Sequence, residues 1–141
     1  MKTLTTLFFA LFLTVNFTNA QSENNGNTIT VTIKNITNNN GKVILSLHTR
    51  ETFMRKQGIK NVKSEIVDGK VTVTFENVAP GTYAIMALHD ENENNTMDFD
   101  DRGMPKESYG MSNNPMSYGP PQFTEGKFDI ASNPLEMEIK F

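Results

Sequence analysis

The chain has 141 residues, no cysteine and a net charge of −3 at pH 7. This length is typical of one domain with a sizeable core. Without cysteine, disulfides, thiol catalysis and cysteine-ligated zinc are excluded, so the core must stabilise the fold unaided. The excess of acids argues against nucleic-acid binding, which needs a basic face.

Residues 1–20 have the layout of a secretory signal peptide. Lys2 gives a positive start, residues 7–15 are almost entirely apolar, and the segment ends on the small residue Ala20. The apolar run is well short of the ~20 residues of a membrane-spanning helix, so no transmembrane anchor is predicted. We expect export to the periplasm or the exterior, with cleavage after Ala20. A flexible leader (21–27) and one domain (28–141) would follow.

Alternation of apolar and polar residues predicts about seven short strands and no long helix. The strands cover residues 29–33, 43–47, 62–67, 71–75, 81–89, 127–131 and 135–141. Asp68-Gly69 suits a tight hairpin turn between the third and fourth strands. The predicted fold class is therefore all-β, a single β-sandwich.

Tyr83 follows Pro80-Gly81-Thr82 at the start of a strand. A Tyr in this place resembles the tyrosine corner of Greek-key sandwiches, whose hydroxyl binds the backbone a few residues upstream. The alternative is an ordinary aromatic residue of the core.

Residues 90–126 show no strand pattern. A loop of this length is usually either functional or disordered. Disordered segments are poor in aromatic residues, whereas this one contains Phe99, Tyr109, Tyr118 and Phe123 and four methionines. We therefore expect a long ordered loop, folded back over the sandwich.

The loop begins with HDENENNTMDFDD, residues 89–101, which contains six acids and no base. Counted from Asp90, oxygen-bearing residues fall at the spacing of a calcium loop. The predicted calcium ligands are Asp90, Asn92, Asn94, Thr96, Asp98 and Asp101. Asn95 stands where the backbone of such a loop turns left-handed, a conformation that Asn tolerates. The alternative is a solvated loop built of good turn formers.

Three stretches carry a family resemblance. They are FENVAPGTYAIMALHDENENNTMDFD, GMPKESYGMSNN and GPPQF, in this order between residues 75 and 123. With them the chain resembles domain-of-unknown-function family 2141, a group of small exported bacterial proteins. The resemblance implies a β-sandwich of transthyretin-like or immunoglobulin-like type and no settled activity. Family members usually have Gly in place of Asn95 and often an aromatic residue in place of Met111.

A first functional hypothesis is a non-enzymatic binding or structural module. Tyr109, Ser112 and Asn113 combine an aromatic ring with hydroxyl and amide groups, which suits a carbohydrate or protein partner. The alternative is that these residues fix the loop to the sandwich.

A second hypothesis is a soft-metal protein. Met97, Met104, Met111 and Met116 share the loop with His89, and thioethers and imidazole suit Cu(I). The alternative is that the methionines fill gaps in the core.

A third hypothesis is a hydrolase that uses His89 and Asp90 with Ser108 or Ser112, or Glu91 with Glu107. The sequence contains no nucleophile elbow. We therefore predict a monomeric protein that is not an enzyme.

Overall fold

The computed structural model describes residues 26–141. The predicted signal peptide and most of the predicted leader lie outside the described residues. Eight strands and one short helix follow in chain order: β1 Asn27–Ile33, β2 Lys42–His48, β3 Lys60–Glu65, β4 Val71–Val78, β5 Gly81–Asp90, β6 Tyr109–Met111, α1 Phe123–Gly126, β7 Phe128–Ile130 and β8 Leu135–Ile139.

The strands form two sheets, which confirms the predicted β-sandwich. In the three-stranded sheet, β1 lies between β4, to which it is antiparallel, and β8, to which it is parallel. The five-stranded sheet has the order β3-β2-β5-β6, and β7 pairs with the first residues of β5. No helix among residues 26–141 is long and apolar enough to cross a membrane.

The core lies between the inner faces of the two sheets. Ile29, Val31 and Ile33 of β1 are fully buried, and the alternating residues Val43 and Leu45 of β2 face them from the other sheet. The alternation that predicted these strands arises because one face of each sheet is buried and the other contacts solvent.

Strand β5 is apolar on both faces, as its sequence indicates. On the inner face Ile85 joins the main core. On the outer face Ala84 packs with Phe53, Met111 and Phe123 in a second, smaller cluster. This cluster covers only part of the outer face.

Asp68 and Gly69 form the predicted tight turn, with φ of 52° and 67°. The strands on either side do not continue as a hairpin, because β3 and β4 belong to different sheets and only the bridge between Val67 and Lys70 joins them at the turn. The turn therefore carries the chain from one sheet to the other.

The tyrosine corner is present. The Tyr83 hydroxyl donates a hydrogen bond of 2.9 Å to the carbonyl oxygen of Ala79.

The prediction that residues 90–126 contain no strand is wrong for β6. This strand pairs Met111 with Met86 and Tyr109 with Leu88. Three residues are too few to show an alternation, so the sequence gives no signal for it. The central residue of β6, Gly110, lies so close to the carbonyl oxygen of Lys140 that a Cβ added to it would be 2.3 Å from this oxygen. The expected packing of this segment onto the sandwich is seen at Met111 and Phe123. Most of its other aromatic residues and methionines are exposed, among them Phe99, Met116 and Tyr118.

Candidate functional site

The acidic segment wraps around Asp90, the last residue of β5. Asp90 is only 1% exposed. Its Oδ1 accepts a hydrogen bond from the Asn94 backbone N–H at 3.1 Å, and its Oδ2 accepts one from the Asn95 N–H at 2.8 Å. Asn95 has a φ of 67°, the left-handed conformation that the sequence predicts.

Asn92, Asn94 and Asp98 complete this loop. The side-chain amides of Asn92 and Asn94 donate to different oxygens of the Asp98 carboxylate. The Asn94 side-chain oxygen accepts hydrogen bonds from the backbone N–H of Thr96 at 2.9 Å and from its hydroxyl at 3.1 Å. Five of the six predicted calcium ligands are therefore brought together by the folding of residues 90–98.

Asp101, the sixth predicted ligand, is not part of this arrangement. It is exposed, and no hydrogen bond of the described residues joins its side chain to the other five. Its neighbour Asp100 closes a separate turn, in which Oδ1 accepts the backbone N–H groups of Met104 and Arg102, each at 2.9 Å. These bonds, that of Met104 above all, lower the pKa of Asp100.

Glu107 is the acid that closes the loop instead, and the sequence analysis missed this role. Glu107 is 8% exposed. Its Oε1 accepts the backbone N–H of Glu91 at 3.0 Å, and its Oε2 accepts that of Asp98 at 3.1 Å. The carboxylate thus holds the two ends of the loop together from a separate part of the chain. No spacing rule for calcium loops includes a residue so far along the sequence.

The acids of this region differ in their countercharges. The Lys42 ammonium lies 3.0 Å from the Glu93 carboxylate, whose hydrogen bond raises the pKa of Lys42. By contrast, Asp90, Asp98 and Glu107 have no Lys or Arg nitrogen within 4.0 Å among residues 26–141. Backbone N–H groups and side-chain amides donate the hydrogen bonds that these three carboxylates accept.

The three carboxylates are not packed as one cluster. In the part of the chain that the structure describes, no three His, Asp or Glu side chains are grouped so that they alone would hold a metal ion. A cation at this loop would also require the side-chain oxygens of Asn92 and Asn94 and backbone oxygen atoms.

An apolar cleft with a volume of about 730 Å³ adjoins the loop on the outer face of the five-stranded sheet. The strand registers define its floor. One row runs across the sheet through Lys63, Ile44, Leu88 and Tyr109, and the next through Asn61, Ser46, Met86 and Met111. Partners directly opposite one another share a face, and Ile44, Ser46, Met86, Leu88 and Tyr109 all line the cleft.

Three segments form the walls of the cleft. The first runs from Asn95 through Phe99 to Pro105, the second contains Met54 and Lys56, and the third is Gly119–Pro121. The first wall begins inside the acidic loop, since Asn95 and Thr96 belong to both. The loop and the cleft are therefore one continuous site.

Of the three predicted ligand-binding residues, only Tyr109 lines the cleft. Ser112 is fully buried, its hydroxyl accepting the Ile85 N–H and donating to the Gly126 carbonyl. The Asn113 amide donates to the carbonyl oxygens of Glu125 and Lys127. Ser112 and Asn113 thus hold β6 and α1 to the sheet, which is the structural alternative considered for them.

The residues of the copper hypothesis lie apart. Met97 and Met104 line the cleft, Met111 is buried against Phe123, and Met116 is 99% exposed. The His89 ring is buried, with Nε2 2.8 Å from the carbonyl oxygen of Asn40.

The structure does not assemble the catalytic groups of the hydrolase hypothesis. Among residues 26–141, no hydrogen bond joins the His89 ring to a serine hydroxyl. The Ser112 hydroxyl bonds to backbone groups, and the carbonyl oxygen of Ser108 accepts a hydrogen bond from the backbone N–H of His89. Glu107 accepts a hydrogen bond from the backbone N–H of Glu91.

Comparison with known proteins identifies a family. No curated protein and no solved structure matches the chain. The model of a family described as uncharacterised proteins conserved in bacteria matches residues 31–138. The matched range includes the acidic loop, Glu107 and the whole lining of the cleft. The chain therefore belongs to domain-of-unknown-function family 2141.

Proposed function

We propose that the protein is an exported, non-enzymatic binding module whose loop 90–98 takes up a calcium ion. One observation carries this proposal: Asp90, Asp98 and Glu107 all accept hydrogen bonds within the same short loop, and no Lys or Arg nitrogen of the described residues lies within 4.0 Å of their carboxylates. Two of the three are almost fully buried. A buried carboxylate without a countercharge is costly even when it is hydrogen-bonded, so a bound cation would stabilise this loop.

Calcium fits the donor groups better than other common metals. It takes six to eight oxygen ligands from carboxylates, amides and backbone carbonyls. The loop is rich in such oxygens, and its one sulfur atom, the thioether of Met97, belongs to a side chain that lines the cleft. The carboxylates of Asp90 and Asp98 supply charge. The amides of Asn92 and Asn94 present an NH₂ group to Asp98. Rotation of each amide would present its oxygen instead, in exchange for the hydrogen bonds that these oxygens accept from the backbone N–H groups of Asn94 and Thr96.

The consequence of calcium binding would be to order a wall of the cleft. Asn95, Thr96 and Met97 line the cleft and lie within the loop. In this proposal the metal has a structural role, and the cleft holds the partner.

Calorimetric titration of the metal-free protein with calcium tests the proposal. We expect saturable binding with a dissociation constant of about 0.1–1 mM, as in extracellular calcium modules. Asp98→Asn should abolish it, and Asp101→Asn, which removes an exposed carboxylate outside the loop, should leave it unchanged. Absence of binding at several millimolar calcium, or equal effects of the two substitutions, would contradict the proposal.

Titration with Cu(I) in the same experiment tests the alternative soft-metal function. Met54, Met86, Met97 and Met104 all line the cleft, although only the last two belong to the predicted set. Tight Cu(I) binding that is lost in Met97→Leu would favour copper over calcium as the natural metal.

The mass of the exported protein tests the other half of the proposal. Cleavage after Ala20 leaves a chain that begins at Gln21. A chain that retains residues 1–20 in the cell would contradict export.

A further inference from the structure

The cleft exposes an unusual amount of apolar surface for its size. Met54, Phe99 and Met104 are 60%, 58% and 60% exposed, and all three stand on its walls. Contiguous exposed apolar surface is unfavourable in water and marks binding sites. The cleft volume of about 730 Å³ is within the range of about 300–1,000 Å³ that is usual for small-molecule sites.

The shape of the cleft favours a slender ligand over a flat protein surface. Walls rise on three sides of a floor that is two cross-strand rows wide. Methionine side chains are flexible and adapt to aliphatic chains, and Met54, Met86, Met97 and Met104 contribute to the lining.

The charge around the cleft selects for an anion. None of the described residues that line it is acidic, although the chain as a whole has a net charge of −3. Lys56 is part of the lining. Lys63 lies opposite Ile44 on the floor row, and its ammonium donates to the side-chain oxygen of Asn95.

Both lysines lack a countercharge. Among residues 26–141, neither Lys56 nor Lys63 has a carboxylate within 4.0 Å, as is true of most Lys and Arg side chains there; Lys34, Lys42 and Arg102 are the exceptions. Lys63 lies within β3, and Lys56 lies in the segment that connects β2 to β3. The lining of the cleft therefore contains a lysine and no carboxylate, and the acids of residues 98–101 belong to the first wall segment without being part of the lining.

We propose that the cleft binds a single-chain anionic amphipath of the fatty-acid type. Its aliphatic chain would lie over Ile44, Met86 and Leu88. Its anionic group would lie near Lys56, which lines the cleft, with Lys63 at the end of the floor row as a second positive charge. The inference rests on the proposed function as a binding module and specifies the class of ligand.

Calorimetric titration with decanesulfonate below its micelle concentration tests this inference, with calcium and with a chelator. Decyltrimethylammonium has the same chain and the opposite charge, and methanesulfonate has the head group alone. We expect saturable binding of decanesulfonate, at least tenfold weaker binding of the cationic amphipath, and no binding of methanesulfonate. Equal binding of the two amphipaths, or no binding of either, would overturn the proposal.

Matched variants locate the binding site. Met104→Glu places a charge on the cleft wall and should weaken the binding of decanesulfonate at least tenfold. Met116→Glu, the same change at a 99% exposed methionine outside the cleft, should alter it less than twofold. Lys56→Glu should weaken binding by up to about fivefold, as expected for an exposed ion pair, and Lys70→Glu outside the cleft should not. Equal effects within either pair would refute the assignment.

Sedimentation of the same proteins tests the competing occupant. A dimer that Met104→Glu dissociates would show that a second copy covers the cleft, and the proposal would be wrong. Calcium titration without amphipath reports on the proposed function separately. Calcium binding without decanesulfonate binding would refute only the proposed class of ligand. Decanesulfonate binding without calcium binding would refute only the proposed calcium site.

Discussion

Substitution of Asp90 by Asn measures how strongly the acidic loop is held by the end of β5. The buried carboxylate accepts one backbone N–H on each oxygen, from Asn94 at 3.1 Å and from Asn95 at 2.8 Å. Asn retains one acceptor and turns an NH₂ group toward the other donor. The loss of one charge-assisted hydrogen bond, with a buried donor left unsatisfied, costs about 2–3 kcal/mol. For a domain of this size that lowers the melting temperature by roughly 8–12 °C.

Thermal and urea unfolding in the presence of a chelator isolates this effect from calcium. Asp101→Asn is the matched control, since its exposed carboxylate makes no hydrogen bond to the loop. We expect the control to change stability by less than about 0.5 kcal/mol. If Asp90→Asn were no more destabilising than Asp101→Asn, the two backbone hydrogen bonds would not hold the loop, and the proposed site would lose its structural basis.

Three further predictions concern the site and its support. Calcium at 10 mM, with a dissociation constant of about 0.1–1 mM, should stabilise the protein by about 1.4–2.7 kcal/mol and raise the melting temperature by roughly 6–11 °C; no shift in differential scanning calorimetry would contradict calcium binding. Ser112→Ala should cost about 2–3 kcal/mol in urea unfolding because it leaves the Ile85 N–H and the Gly126 carbonyl unsatisfied, while calcium affinity stays unchanged; a loss of affinity at full stability would give Ser112 a ligand role. Burial lowers the pKa of His48 in the folded protein, so the unfolded chain binds a proton at His48 more readily than the folded one. The free energy of unfolding is therefore unaffected by His48 above pH about 6.5 and decreases as the pH falls toward the folded pKa. His48→Asn should therefore flatten the decline in stability between neutral pH and pH about 5, and an unchanged pH profile would contradict this.

The parts of the fold that are set by local chemistry could be predicted from the sequence. The alternation in β1 follows from its one buried face, and the Asp68-Gly69 turn from the ease with which these residues adopt positive φ. Asn95 likewise adopts the left-handed conformation that its place in the loop requires.

The parts that depend on contacts between distant residues could not be predicted. Glu107 closes the loop only because β6 pairs with β5 and places it beside Glu91 and Asp98. The cleft arises from rows of residues from β2, β5 and β6, which no single stretch of sequence reveals. Asp101 fits the spacing of a calcium loop, but the chain turns away at Asp100 before reaching it.

A calcium titration followed by ¹H–¹⁵N NMR tests the central claim most directly, because it reports on each backbone N–H that binds a carboxylate of the loop. We predict that the amides of Glu91, Asn94, Asn95 and Asp98 show the largest shifts and that these follow one binding curve with its midpoint at about 0.1–1 mM calcium. Shifts confined to residues 100–104, or none at several millimolar calcium, would contradict a calcium site built on Asp90, Asp98 and Glu107.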